Sequence, residues 1–578
     1  MASLVSKIIN GNKYFYAVES ARVDGKPRIV KQTYLGTLEK IVEANQRVKA
    51  DGIDTPSNSE VLEFGAVSAL MDVSERLGIR GIIDEVVGKR NQGLPVGDSL
   101  VIAAINRAVA PVSRKFFREK WFEKTVLPGC FPLANAQNLS SQAFWNSMSL
   151  VTSDHIRLIE DEIASRIIKY YNISTECLYF GNTNFITYFD SDNPSKIVKT
   201  GKSKEHGADL RIVGLSLMVS EDFNIPLFYE TYPINMKDVE YLTEIIDRLK
   251  ARCSKLLFNP DLTLVFDKGN NSSSNFEKLL EIDPFAFHFI GGLKLNQCKQ
   301  LHNIPINKYV VLQGEQFRDS KAYRTTIEKY GQIFTAVITD NPELYKSQMR
   351  SIAILISKCN SEFDDLITKI GLKQQGKICE CFKCSVDSIN SKVTTILSRE
   401  HMKEIFDYII SEEHNHISLT YKLNYDKLKY LQNSILGKTV LFTSRNNWTN
   451  EKIVSAYRSQ HHVAATFKQM KDDKYVSLYQ LRHYTDNKII VHNFYCGLAL
   501  TLLSVLNLEF FRVGHCLSMD SMLANLSESR QVINYYVKNK KIIKTYSLTK
   551  MPHVAKNYID EYKLYKYSCN KRNVDKIK

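Results

Sequence analysis

The sequence predicts an α/β protein of several units, on three observations. Between residues 175 and 300 the pattern runs strand, strand, strand, helix, strand, helix, strand. From about residue 60 to 172, apolar residues instead recur at spacings of three and four, the mark of amphipathic helices. The chain also has 578 residues, 44% of them hydrophobic, long enough for three or four domains of roughly 100 to 200 residues each. The strand and helix order in the middle segment matches a ribonuclease-H-like core.

Lys plus Arg number 77 against 62 Asp plus Glu, a formal net charge of +15. That surplus favours a polyanionic partner such as nucleic acid over an acidic protein or a neutral small molecule. The opening MASLVSKIINGNKYF has no signal-peptide apolar stretch, and no run of 18 apolar residues is read anywhere. A cytoplasmic protein without a membrane partner, nucleoid-associated when bound to DNA, is the expectation. Eleven cysteines without a secretion signal point to reduced thiols. Cys379, Cys381 and Cys384 form a C-x-C-x-x-C cluster that invites zinc, but the nearest histidine, His401, comes without a partner motif to complete four ligands. The histidines of EEHNH (412–416) and QHH (460–462) read as solvated side chains.

In chain order, KYFYAVESARVDGKPRIVKQTYLG holds two alternating runs around Asp24-Gly25, a β-hairpin within residues 1–55. Residues 56–172 read as a helical domain: FGAVSALMDVSERLGIRGIIDEVV, SLVIAAINRAVA stopped by Pro111, and SSQAFWNSMSLV. Arg114, Lys115 and Arg118 lie in its polar turns, which suits docking on DNA and equally suits an ordinary solvated face. Residues 173–300 supply the strands ECLYF, RIVGLSLMVS, NIPLFYETYP, LTLVFD and FAFHFIGGL, with DVEYLTEIIDRLKARCSK and SSNFEKLLEI as helices between them. Residues 301–436 read as a mixed, partly β insertion, 437–530 as the second part of the core, and 531–578 as a basic, poorly ordered tail carrying KNKKIIK and NKRNVDKIK.

Asp267 ends the apolar run LTLVFD and is followed by KGNNSSSNFE. A strand that hands over to a helix there presents its side chain at the carboxyl edge of the sheet. Two roles fit: a carboxylate in a site, or an aspartate capping the next turn.

GKSKEHGADLRIVGLSLMVSEDFNIPLFYETYP, LTLVFDKGNNS, GKTVLFTSRNNWTNEKIVSAYRSQHHV and KYVSLYQLRHYTDNKIIVHNFYCGLAL together resemble the insertion-sequence DDE transposases marked by a Y-R-E-K signature. The resemblance runs through about nine-tenths of the chain. It implies a ribonuclease-H-like core in which two Asp and one Glu hold two divalent ions, normally Mg²⁺. Hard cations require carboxylate oxygens, and a pair of them cleaves a phosphodiester by activating one oxygen and stabilising the other.

Matched residue by residue, the resemblance puts the first Asp at Gly181, on a turn that ends the strand LYFGNTNFITYFD, the second at Asp267, and the Glu at Ala464. Gln460 stands where the signature has Arg. Two of three ligand positions are therefore vacant. Asp190 and Asp192, or Glu451 and Asp472 on the late helix, lie too far along the chain to take over. Tyr457, Arg458, Lys468 and Lys471 fall at helical spacing, either a phosphate-binding face for a transposon end or a solvated basic face. The implied partner is double-stranded DNA bearing the element's ends, taken by a homodimer. Three functions remain open: a catalytically impaired DNA-binding member of the family, an active transposase or nuclease using other carboxylates, and a non-catalytic interaction protein. On the first, restoring Asp at 181 and Glu at 464 is expected to restore cleavage.

Overall fold

The computed structural model describes the chain except residues 1, 10, 24–25, 51–55, 89–91, 188–193, 204–206, 234–237, 257–260, 282–286, 380–381, 414–415, 473, 475, 477, 479–484, 539–540 and 570–578. The Asp24-Gly25 turn, Asp190, Asp192 and Cys381 lie outside the described residues. The N-terminus forms a three-stranded antiparallel sheet, β1 (Ala2–Ile9), β2 (Asn12–Val23) and β3 (Lys26–Thr37), followed by α1 (Leu38–Ala50). The predicted hairpin is β2–β3. β1 is an addition, pairing with β2 from Ala2↔Glu19 to Ile9↔Asn12.

A short strand, β4 (Asn58–Glu63), leads into the helices α2 (Gly65–Arg76), α3 (Ile79–Val87), α4 (Val96–Val109), α5 (Phe117–Lys120), α6 (Ser141–Ser149) and α7 (Ser153–Tyr171). Local chemistry sets their ends. Gly78 takes φ 65° between α2 and α3, and Thr152 and His155 form a capping box at the start of α7. Two of the turn cations expected to face DNA are occupied. Arg114 lies over Phe144, 3.9 Å from the ring centre, and Arg118 bonds Glu119 and Glu123.

The central sheet has ten strands. β5 (Cys177–Ile186), β6 (Lys199–Ser203), β7 (Gly207–Ser220) and β8 (Pro226–Tyr232) come first, then α8 (Asp238–Lys255), β9 (Thr263–Phe266), α9 (Ser273–Leu280) and β10 (His288–Leu293). β5, β7 and β8 pair antiparallel, whereas β5–β9 and β9–β10 pair parallel, because helices carry the chain back between them. The sheet does not stop at residue 301. β11 (Val310–Val311), β12 (Lys321–Lys329) and β13 (Gln332–Asp340) extend it. A two-residue turn with positive φ at both Tyr330 and Gly331 joins β12 to β13 and supplies the hairpin twist.

The inserted unit comes after β13 and is mostly helical. It comprises α10 (Pro342–Gln374), α11 (Val386–Ile396), α12 (Met402–Ile405), the hairpin β14 (Phe406–Glu413) and β15 (His416–Leu423), and α13 (Tyr425–Ser434). It has its own core, with Phe363, Ile389, Val393 and Phe406 buried. β16 (Lys438–Thr443) then returns to the sheet between β10 and β13. After it come α14 (Asn450–Arg458), α15 (His461–Met470), α16 (Asp486–Arg512) and α17 (Met519–Ser527). α16 is long and apolar enough to cross a membrane, a stretch missed in the sequence because Asn, His, Gly and Thr interrupt its apolar residues. It is almost wholly buried, packed between the helical layer and β8.

The C-terminal segment differs from the poorly ordered tail expected of it. β17 (Arg530–Lys538) pairs with β4 on one side and β18 (Lys541–Leu548) on the other, and α18 (His553–Glu561) follows. Tyr558, Ile559 and Leu564 are fully buried, so apolar packing outweighs the basic composition on which the expectation rested.

Candidate functional site

The carboxyl ends of β9 and β10 lie beside the middle of β5. β5 and β9 run parallel from Cys177↔Thr263 to Tyr179↔Val265, and continuing that register sets Gly181 opposite Asp267. On the other side β10 pairs with β9 up to Gly291↔Phe266, which brings Gly292 level with Asp267. α14 packs over β9 and β10, and α15 over β5 and β7. Gly181, Asp267, Tyr457, Gln460 and Ala464, distant in sequence, thus line one cleft of about 520 Å³.

Gly181 is not on a turn. β5 continues through it to Ile186, with Gly181 paired to Leu217, because Thr183 and Phe185 bury their side chains and keep the strand in the sheet. Its φ lies outside the left-handed region. What requires a glycine is close approach: a Cβ there would lie 2.6 Å from Val463 Cγ1 and 3.3 Å from Phe467 Cε2.

Asp267 is exposed at the end of β9, and its Oδ1 accepts the Lys268 backbone N–H at 2.8 Å, capping the turn Lys268–Asn270. The capping role is thus realised, and the carboxylate still borders the cleft. Beside it Tyr457 lies against Gly292, whose missing side chain makes room for the phenol. Burial, with the Asp267 charge adding to it, pushes the Tyr457 hydroxyl up to about 12, so it is a neutral donor at physiological pH.

The four residues expected on one basic helix are divided between two. Tyr457 and Arg458 end α14, a break at Ser459–Gln460 follows, and Lys468 and Lys471 belong to the end of α15. Arg458 is turned inward: it donates to Gln316 O at 3.2 Å and Ser320 Oγ at 3.0 Å, and burial lowers its pKa. Lys468 is exposed, and the half-buried Lys471 lies 5.3 Å from the centre of the Phe185 ring. Glu451 accepts the Gln313 N–H and Asp472 the Lys474 N–H. Residues that the sequence analysis did not propose for the site also line the cleft, among them Asn270, Phe467 and His461, which was read as solvated. Asn270 and His461 fall inside the matched blocks, which could have signalled them.

These residues do not fit a pair of divalent ions. Of the three positions that the resemblance matches to metal ligands only Asp267 has a side-chain oxygen; Ala464 is exposed with none, and a Cβ at Gly181 would meet Val463 Cγ1 at 2.6 Å. Asn270 Oδ1, buried without a hydrogen-bond partner among the described residues, adds a neutral oxygen. Among the described residues no group of three or more His, Cys, Asp or Glu could hold a metal. Hard dications need more carboxylate oxygens than this.

No protein-family model matches the chain, and no curated protein does. Among solved structures it is similar to a piggyBac transposase in a synaptic complex with hairpin DNA, at a TM-score of 0.33 and 9% identity over 79% of this chain and 70% of that one. So distant a likeness assigns no role to any residue.

Proposed function

We propose that this protein is a DNA-binding member of the DDE transposases, resembling their Y-R-E-K insertion-sequence group, that holds its element's end DNA without cutting it. The observation that carries the reading is the cleft itself. Three positions that the sequence resemblance matches to metal ligands converge there, with one carboxylate among them. Support for a ribonuclease-H-like core comes from the pairing of β8, β7, β5, β9 and β10: three antiparallel strands, then two parallel ones joined through α8 and α9. That is the arrangement which strand, strand, strand, helix, strand, helix, strand calls for.

In this reading the net +15 charge supplies affinity by neutralising phosphates. Lys468, one helical turn beyond the cleft-lining Ala464, offers an exposed ammonium, and the neutral Tyr457 hydroxyl and Gln460 amide line the cleft and offer directed hydrogen bonds. Two copies of the chain bring two ends together. A Mg²⁺ pair, if the carboxylates were present, would supply phosphodiester cleavage; this chain's residues bind and position DNA without it.

The test is an assay of end DNA with Mg²⁺ or Mn²⁺. Binding that weakens steeply with salt, and no cleavage, is expected. Cleavage abolished by Asp267→Ala would show an active nuclease using other carboxylates, and binding indifferent to salt would remove the DNA reading.

A further inference from the structure

The contact between α15 and β5 is tighter than a missing acid requires. Val463 and Phe467 are buried, at 3% and 7% exposure, and both press on Gly181. A Cβ at 181 would meet Val463 Cγ1 at 2.6 Å, closer than two carbons approach. Rotation offers no escape, because a valine in a helix has one strongly preferred χ1. Nor is the strand free to recede: β5 is held between β7 and β9, and Phe180 beside Gly181 is fully buried. From the Val463 Cβ, by contrast, the added carbon would stand 3.6 Å away, an ordinary contact.

We infer that Val463 is a steric plug on the first ligand position: α15 has closed over the space that a carboxylate at 181 would occupy, and Gly181 is now a packing residue. The chain is therefore locked in a metal-free form by its core as well as by the loss of oxygens. On this inference Gly181→Asp with Ala464→Glu does not suffice to rebuild the site, and a third change, Val463→Ala, is needed. The metal part of this inference rests on the proposed reading of 181 and 464 as ligand positions, and the packing part stands without it.

Two measurements test it. In urea unfolding, Gly181→Ala should raise the fraction unfolded about ten- to a hundredfold, as overpacking does. In the Val463→Ala background the same change should cost several-fold less, the remaining close neighbour being Phe467 Cε2 at 3.3 Å. A Gly181→Ala protein that fails to fold beside a folded double variant is the extreme of the expected result. Equal losses in both backgrounds overturn the plug. The second measurement is Mn²⁺ uptake, read from the electron paramagnetic resonance of free Mn²⁺. Gly181→Asp with Ala464→Glu should take up no more than the parent, and adding Val463→Ala should create a site. Uptake without the change at 463 overturns the plug. A folded triple variant without uptake, alongside the expected unfolding cycle, overturns the ligand positions and leaves the packing contact in place.

Discussion

Arg76 and Glu509 meet through two hydrogen bonds in the helical layer, Nη1 to Oε1 at 2.5 Å and Nη2 to Oε2 at 2.9 Å. Glu509 is fully buried and also accepts from the Tyr171 and Tyr558 hydroxyls. Arg76 bonds Asp72 as well, and Lys566 pairs with Asp72 from the C-terminal segment. This one network joins α2, α7, α16 and α18. Glu509→Ala should cost about 3–5 kcal/mol, because it removes the acceptor of two phenols and leaves the Arg76 guanidinium with Asp72 as its remaining carboxylate. Urea unfolding measures it, and a loss under about 1 kcal/mol would mean that water replaces the carboxylate.

A second buried acid makes stability depend on pH. Burial pushes Glu160 up to about 8, with Arg252, 3.2 Å away, opposing the shift. The folded state therefore keeps a proton that the unfolded chain releases near 4.5, and stability falls as pH rises from about 4.5 to about 8. The slope should reach at most about 1.4 kcal/mol per pH unit from this group. Glu160→Gln should flatten the profile in that window, measured as urea midpoints at several pH values.

The strand and helix order of residues 175 to 300 was legible because each segment carried its own period, and Asp267 because an apolar run ended on a carboxylate. The pairing of β4 with β17 was not legible, because the two strands lie at opposite ends of the chain. Gly181 was misread as a turn, since its need for a glycine comes from Val463 on a helix far along the sequence. The basic face failed for a related reason, as the break at Ser459–Gln460 divides a spacing that looks continuous.

Gly292 should be as demanding as Gly181. Alanine there would collide with the Tyr457 hydroxyl and push the phenol into the cleft. Gly292→Ala should cost about 1–3 kcal/mol in thermal unfolding. Tyr457→Phe in the same protein should recover part of it, because the hydroxyl is the nearest atom. No recovery would place the strain elsewhere in the strand.

The cations near the cleft should separate by experiment. Lys468→Ala should lower the slope of log affinity against log salt by about 1 if its ammonium meets a phosphate. Arg458→Ala should leave that slope nearly unchanged and lower stability instead, since bonds to Gln316 and Ser320 hold its guanidinium against the protein. Fluorescence anisotropy of end DNA over a salt series, with melting curves for each variant, distinguishes the two.

The pairing of β4 with β17 also bears on how the chain is made. Ser57 donates to Tyr535 across 478 residues of sequence, so the first strand of the helical domain emerges long before its partner exists. At about 5–20 residues per second of synthesis the wait is roughly 25–95 s, during which the Val61 and Leu62 edge stands open beside the ribosome. A copy of the gene interrupted anywhere before residue 530 would leave that edge without its partner for good, and its product would be a substrate for proteases or a seed for aggregates. Loss of the last tenth of the reading frame should thus silence the protein as thoroughly as loss of its middle.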